Sequence, residues 1–124
     1  MKKIKIISGS VEILAEVFNT PTADIIFNCL PIESSANTWG DEIYFDAPVQ
    51  AEREPEAKDI IEPGEIAFWV EGSCIAIGYG PTPISQGNEI RLAAKTNIWA
   101  TTKDNVRKLS SINAGDTIRV EKVE

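Results

Sequence analysis

The sequence predicts a mostly β protein, a closed eight-stranded antiparallel barrel with one or two short capping helices. Three observations lead there. Apolar and polar residues alternate with a period of two along most of the 124 residues, turn signals built on Gly, Pro, Asp and Asn separate the alternating runs, and only two stretches carry a helical signature. Many strands with few helices do not fit a parallel alternating fold, and closing the sheet removes edges that would otherwise pair with other chains. The length is that of one domain, so residues 1–124 are read as a single barrel, and a chain of this size buries about two-thirds of its unfolded surface.

The elements follow in order. Lys3 and Lys5 alternate with Ile4 and Ile6, Ser8-Gly9-Ser10 turns the chain, and Val11, Ile13, Ala15 and Val17 continue the alternation, which predicts a hairpin. Thr20 can cap a helix with Pro21 at its first position and Asp24 in its first turn; Ala23, Ile26, Phe27 and Leu30 share one face, and Pro31 stops it. Ile32 to Ala36 reads as a weak third strand, Trp39-Gly40-Asp41 as a turn, and Glu42 to Ala47 as a better fourth strand. Pro63-Gly64 introduces a second hairpin, with Ile66, Phe68 and Val70 on one face and Ile75 and Ile77 returning after Glu71-Gly72-Ser73. Gly80 to Asn88, GPTPISQGN, is loop. A seventh strand is expected near Asn97 to Thr102, a helical turn over Asp104 to Leu109 capped by Asp104, and a last strand over Thr117 to Val123.

Charge and composition narrow the chemistry. Lys and Arg number 12 against 19 Asp and Glu, a net charge of −7, and histidine is absent. Without imidazole there is no Ser/His/Asp or Cys/His relay and no HExxH metal site. An acidic surface argues against nucleic acid and anionic membranes as partners. Residues 31–70 hold 10 acids against Arg53 and Lys58, a net −8, so the net negative charge belongs to that stretch. Within that stretch residues 49–59, VQAEREPEAKD, read as an exposed acidic loop; a calcium site is the other reading, and no EF-hand spacing supports it.

Cys29 and Cys74 stand outside any CxxC spacing and read as buried free thiols. No metal site and no cofactor is expected. Gly78-Tyr79-Gly80 follows a strand without opening a helix, so it is no phosphate cradle. No apolar run approaches the roughly 20 residues that span a bilayer, and the start of the chain is a strand, not a signal-peptide core; a cytoplasmic protein is expected.

The runs Asn37-Thr38-Trp39-Gly40-Asp41-Glu42-Ile43-Tyr44-Phe45, Pro63-Gly64-Glu65-Ile66-Ala67-Phe68-Trp69 and Gly78-Tyr79-Gly80-Pro81-Thr82-Pro83 resemble those of the small cyclophilin-like proteins of bacteria and archaea. The resemblance covers roughly residues 2–122 and implies the cyclophilin-like barrel instead of a reaction. Classical cyclophilins are prolyl isomerases that use an arginine of the third strand as hydrogen-bond donor to the imide nitrogen. The corresponding stretch here, residues 32–37, has none; the four arginines are Arg53, Arg91, Arg107 and Arg119. The tryptophan and histidine that the resemblance leads one to expect after the sixth strand are replaced by Tyr79 and the loop from Gly80 to Pro83. Conventional isomerase chemistry is therefore not expected, and no catalytic residue is assigned.

The candidate site is an outward groove. On the fourth strand Glu42, Tyr44 and Asp46 share the face opposite Ile43 and Phe45. Glu42 and Tyr44 form the candidate ligand-binding set with Asn37, Trp39, Trp69, Tyr79, Thr82, Glu89 and Arg91. Trp39, Tyr44, Trp69 and Tyr79 would be contact surface, or else cover the barrel's outer face; Asn37 and Glu42 would be polar anchors. Glu42 beside Trp39 is a carboxylate that burial could raise in pKa. Glu89 and Arg91, two apart on an extended segment, read as an ion pair pinning the Gly80 to Asn88 loop. The expected partner is a small molecule or peptide segment, neutral or cationic before anionic. Weak isomerase activity with Arg91 as substitute donor, and a subunit role in an amidohydrolase-type assembly, are the alternatives; the oligomeric state is open.

Overall fold

Alternation on both sides of Gly9 does build a hairpin. In a computed structural model, which describes residues 2–123, β1 (Lys3–Ser8) and β2 (Val11–Val17) pair antiparallel, with Gly9 at φ +58° in the turn. Helix α1 (Pro21–Cys29) follows. Thr20 caps it by accepting from the Ala23 backbone N–H at 3.2 Å, Pro21 occupies its first turn, and Ala23, Ile26 and Leu30 enter the core. Phe27 is half-buried, with the ammonium groups of Lys2 and Lys122 each 4.9 Å from its ring centre.

The remaining strands are β3 (Ile32–Ser35), β4 (Asn37–Thr38), β5 (Glu42–Asp46), β6 (Lys58–Ile61), β7 (Glu65–Trp69), β8 (Cys74–Gly78), β9 (Ile90–Thr102) and β10 (Thr117–Val123). They join in the order β3-β10-β1-β2-β9-β7-β8-β5-β4, with β6 on β9, and every pairing is antiparallel. The mostly β, antiparallel expectation is met. The ladder is not closed, however, and ten strands replace eight.

The seam explains the open ladder and one of the two added strands; the other is β6, formed where a loop was expected. The weak third strand divides at Ala36: Ile32 to Ser35 pair with β10, whereas Asn37 and Thr38 turn to pair with β5. Between them Ala36 is buried, donating its N–H to the Asp116 carbonyl and accepting from the Gly115 N–H, both at 2.8 Å. The two ends of the sheet are thus joined by the covalent chain through one residue, and no hydrogen-bonded ladder links β3 to β4 among the described residues.

A second departure matters more for function. The strand expected from Asn97 begins at Ile90 and runs 13 residues. Its pairing with β7 slips by one residue, Ile66 facing Ala100 and Ala67 facing Ile98, which leaves Trp99 as the extra residue of a bulge. Bulges bend a strand and raise its twist. Trp99 is fully buried and donates its indole N–H to the Ala67 carbonyl at 3.2 Å. Beyond the bend the first half of β9, with β6 paired along it, packs Ile61, Ile90 and Leu92 against Ala67 and Ala76 in a second, smaller apolar cluster. The main core holds Ile43, Phe45, Ile66, Phe68, Ile75 and Ile77 from the opposite faces of the same strands.

The helical turn near the C-terminus is a 3-10 helix, Val106–Ser111, capped by Asn105, whose side chain accepts from the Arg107 N–H at 3.0 Å. Asp104 does not cap it, because its carboxylate is used on the Leu14 N–H of β2 at 2.9 Å. The acidic stretch expected to be loop extends to β6 only at Lys58 and Asp59, and the part before it is tied to the fold. Glu54 accepts from the Thr22 N–H at 3.1 Å and from the Thr22 hydroxyl, and its own N–H donates to Asn97 Oδ1 at 2.9 Å. No helix among the described residues is long and apolar enough to cross a membrane.

Candidate functional site

The bend in β9 leaves a gap between its outer half and the outer faces of β5, β7 and β8. There a concavity of about 190 Å³ opens, lined by Trp39, Glu42, Tyr44, Trp69, Cys74 and Ala76 on one side and by Leu92, Ala93, Ala94 and Thr96 of β9 on the other. Period-two geometry puts these groups there. Ile43 and Phe45 point into the core, so Glu42 and Tyr44 must point out. By the same rule Phe68 is inside and Trp69 outside. Trp39 arrives from the turn that its N–H closes on the Glu42 carbonyl at 3.0 Å. That turn is held from below: a Cβ on Gly40, at φ +58°, would come within 2.8 Å of Pro83 and 2.9 Å of Thr82, so only glycine fits.

Glu42 is the unusual member. It is only 6 % exposed, and its Oε1 is buried without a hydrogen-bond partner. Burial pushes its carboxyl up from 4.5 to about 7. Trp69 contributes the matching anomaly, since its Nε1–H is also buried with no acceptor. Among the described residues these two are the buried side-chain polar atoms left unpaired, and both belong to side chains lining the same concavity. A buried polar group without a partner costs about 1–3 kcal/mol; Glu42 Oε1 calls for a donor and Trp69 Nε1–H for an acceptor.

Cys74 forms part of the wall. Its thiol lies 3.2 Å from Asp46 Oδ1 and 3.3 Å from the Gly72 carbonyl. Burial, the hydrogen bond to Asp46 and the charges of Asp46 and Glu42 push the thiol up to about 12. It is a protonated wall group, not a thiolate nucleophile.

Of the residues singled out from sequence, the structure brings Trp39, Glu42, Tyr44 and Trp69 together. It does not bring the others to them. Asn37 is exposed at the sheet end, its amide donating to the Tyr44 carbonyl at 3.4 Å. Tyr79 and Glu89 line a different hollow of about 270 Å³ with Ile60, Pro63 and Arg107; burial and the nearby Asp41 raise the Tyr79 hydroxyl pKa. Thr82 is buried; its hydroxyl donates to the Arg91 carbonyl and its N–H donates to Ser85 Oγ at 2.9 Å. Arg91 is held by Glu89 at 2.6 Å and Asp59 at 3.6 Å, the ion pair expected to pin the loop. The physical reason is the loop's path: Asp41 N–H donates to the Pro81 carbonyl at 3.0 Å and Tyr79 N–H to the Asp41 carbonyl at 2.8 Å, so residues 79–83 fold beneath the Trp39 turn instead of beside it.

Sequence reasoning missed the β9 wall and the place of Cys74 in the wall facing it. Residues 92–94, Leu-Ala-Ala, have no period that distinguishes a pocket wall from a connection. No group of three or more Cys, Asp or Glu able to hold a metal ion occurs among the described residues.

The fold and its relatives agree. No curated protein matches the chain. A hypothetical protein from Archaeoglobus fulgidus, known from a solution structure, is 35 % identical, with 98 % of this chain and 95 % of that chain covered and a TM-score of 0.84. McbB in complex with tryptophan has the same fold at 15 % identity and a TM-score of 0.72, with 95 % of this chain covered but only 44 % of McbB. Since the family model described as cyclophilin-like also matches residues 2–121, nearly the full chain, this protein belongs to the cyclophilin-like family.

Proposed function

We propose that the protein binds a small molecule in the concavity between β9 and the outer faces of β5, β7 and β8. One observation carries the reading: the two buried polar atoms without partners, Glu42 Oε1 and Trp69 Nε1, belong to side chains lining one apolar hollow. Such a hollow, with a few converging polar groups and a carboxyl of displaced pKa, has the form of a ligand site. Trp39, Tyr44 and Trp69 supply contact area, Glu42 and Trp69 supply orientation. In this reading Asn37 at the sheet end, Tyr79, Thr82 and Glu89 of the loop and Arg91 of β9 act outside the hollow, by holding the neighbouring backbone. McbB, which shares the fold, is seen with a small molecule, tryptophan, and that is consistent with a small-molecule partner here.

Isomerase chemistry has less support. The conventional third-strand arginine has no counterpart in Ile32–Ser35, and the substitute donor Arg91 is engaged by Glu89 and Asp59. A subunit role would place the same hollow at a contact between chains, and nothing in the geometry favours it.

The indole N–H resonances of the three tryptophans provide the test. In a ¹⁵N-labelled sample screened against metabolite mixtures, a true ligand moves the Trp69 and Trp39 signals and leaves that of Trp99, which is bonded to the Ala67 carbonyl inside the fold. A broad screen in which no mixture moves Trp69 and none raises the melting temperature refutes the reading.

A further inference from the structure

We infer that the ligand of this concavity is an organic ammonium ion carried on a compact apolar body, an inference that rests on the binding reading above and gives it a chemical class. Charge comes first. Among the described residues Glu42 is the one charged side chain lining the hollow, so an anion would meet a carboxylate and no counter-charge. The aromatic groups come second. Trp39, Tyr44 and Trp69 present π-systems whose negative faces attract cations, most strongly where water is excluded.

The unpaired oxygen comes third and is the most specific. Glu42 is more than nine-tenths buried, and its Oε1 has no donor. A neutral N–H or O–H would meet only the hydrogen bond, whereas an ammonium N–H supplies the bond and the charge together, the stronger arrangement. A metal ion is the wrong cation: hard ions take six or more oxygen ligands, and the walls beside Glu42 are indole, phenol, protonated thiol and aliphatic groups. Most of the body attached to the nitrogen must be apolar, because Ala76, Leu92, Ala93 and Ala94 offer it no polar side chain to meet. A hydrogen-bond acceptor beside the nitrogen would satisfy the Trp69 Nε1–H.

Phenethylamine, 2-phenylethanol and phenylacetate test the class, since they share one body and differ in charge. Calorimetric titration at pH 8, where Glu42 is ionised, is expected to show phenethylamine binding at least tenfold more tightly than 2-phenylethanol and phenylacetate more weakly still. In Glu42→Gln, whose fold is checked by its ¹⁵N spectrum, the amine's advantage over the alcohol is expected to fall below about threefold. Equal binding of amine and alcohol to the native protein, or an amine preference that survives Glu42→Gln, overturns the cation assignment. If the alcohol then still moves the Trp69 indole signal, the site stands and only the class falls; if none of the three moves it at millimolar concentration, the site falls with it.

Discussion

The ring of Trp69 lies so close to Gly72 that a Cβ at that glycine would overlap ring carbons Cε3 and Cζ3. Trp69 ends β7 and Gly72 lies in the turn to β8, so the hairpin turn itself positions one wall of the candidate site. Gly72→Ala is expected to push the ring out of place, with a destabilisation of about 1–3 kcal/mol from the overlap. Urea unfolding and the Trp69 indole resonance check it. An unchanged resonance in a variant of native stability would mean that the turn does not position the ring.

Glu42 makes stability depend on pH. Its carboxyl releases a proton near 4.5 in the unfolded chain and near 7 in the native one. Between those values the native state holds a proton that the unfolded state has lost, so stability is greatest below pH 4.5 as far as this group is concerned and declines as pH rises toward 7. The full loss is on the order of 3 kcal/mol. Glu42→Gln is expected to flatten the curve over that window. Urea melts at half-unit pH intervals compare the two proteins.

Asn97 and Glu54 hold the acidic loop. Asn97 is 1 % exposed; its Nδ2 donates to the Thr22 hydroxyl at 2.9 Å and the Glu52 carbonyl at 2.8 Å, and its Oδ1 accepts from Glu54. Asn97→Ala leaves these partners unsatisfied and is expected to cost about 3 kcal/mol. It also frees the loop, so trypsin cleavage after Arg53 is expected to accelerate at least tenfold beyond what the lower global stability explains. Limited proteolysis under native conditions measures that ratio.

The two thiols are expected to differ in reactivity. Cys74 is buried and its thiol is pushed up to about 12, whereas Cys29 is half-buried. Alkylation with iodoacetamide at pH 8 is expected to modify Cys29 first, and Cys74 only after denaturation, because the attacking species is the thiolate. Peptide mass mapping at timed intervals gives the order.

Much of the site was legible from strand periodicity. Once Ile43, Phe45 and Phe68 are assigned inward, Glu42, Tyr44 and Trp69 face outward, and the expected rise in the Glu42 pKa follows from the wall beside it. The sequence suggests the same groove for Tyr79, Thr82, Glu89 and Arg91 because the loop follows β8 directly. Their actual position depends on the hydrogen bonds between Asp41 and residues 79 and 81, which join segments about 40 residues apart.

Alternation, glycine turns and caps are local properties of the backbone, so the mostly β architecture, the hairpins, the capped helix and the face each strand residue presents are legible along the chain. Packing in three dimensions set the rest: the sheet stays open at Ala36, β9 bends at Trp99, and the bend leaves a hollow over Glu42. Those outcomes rest on pairing register between distant strands. A one-residue slip, such as that between Ile66/Ala100 and Ala67/Ile98, costs nothing in local pattern and redirects half a strand.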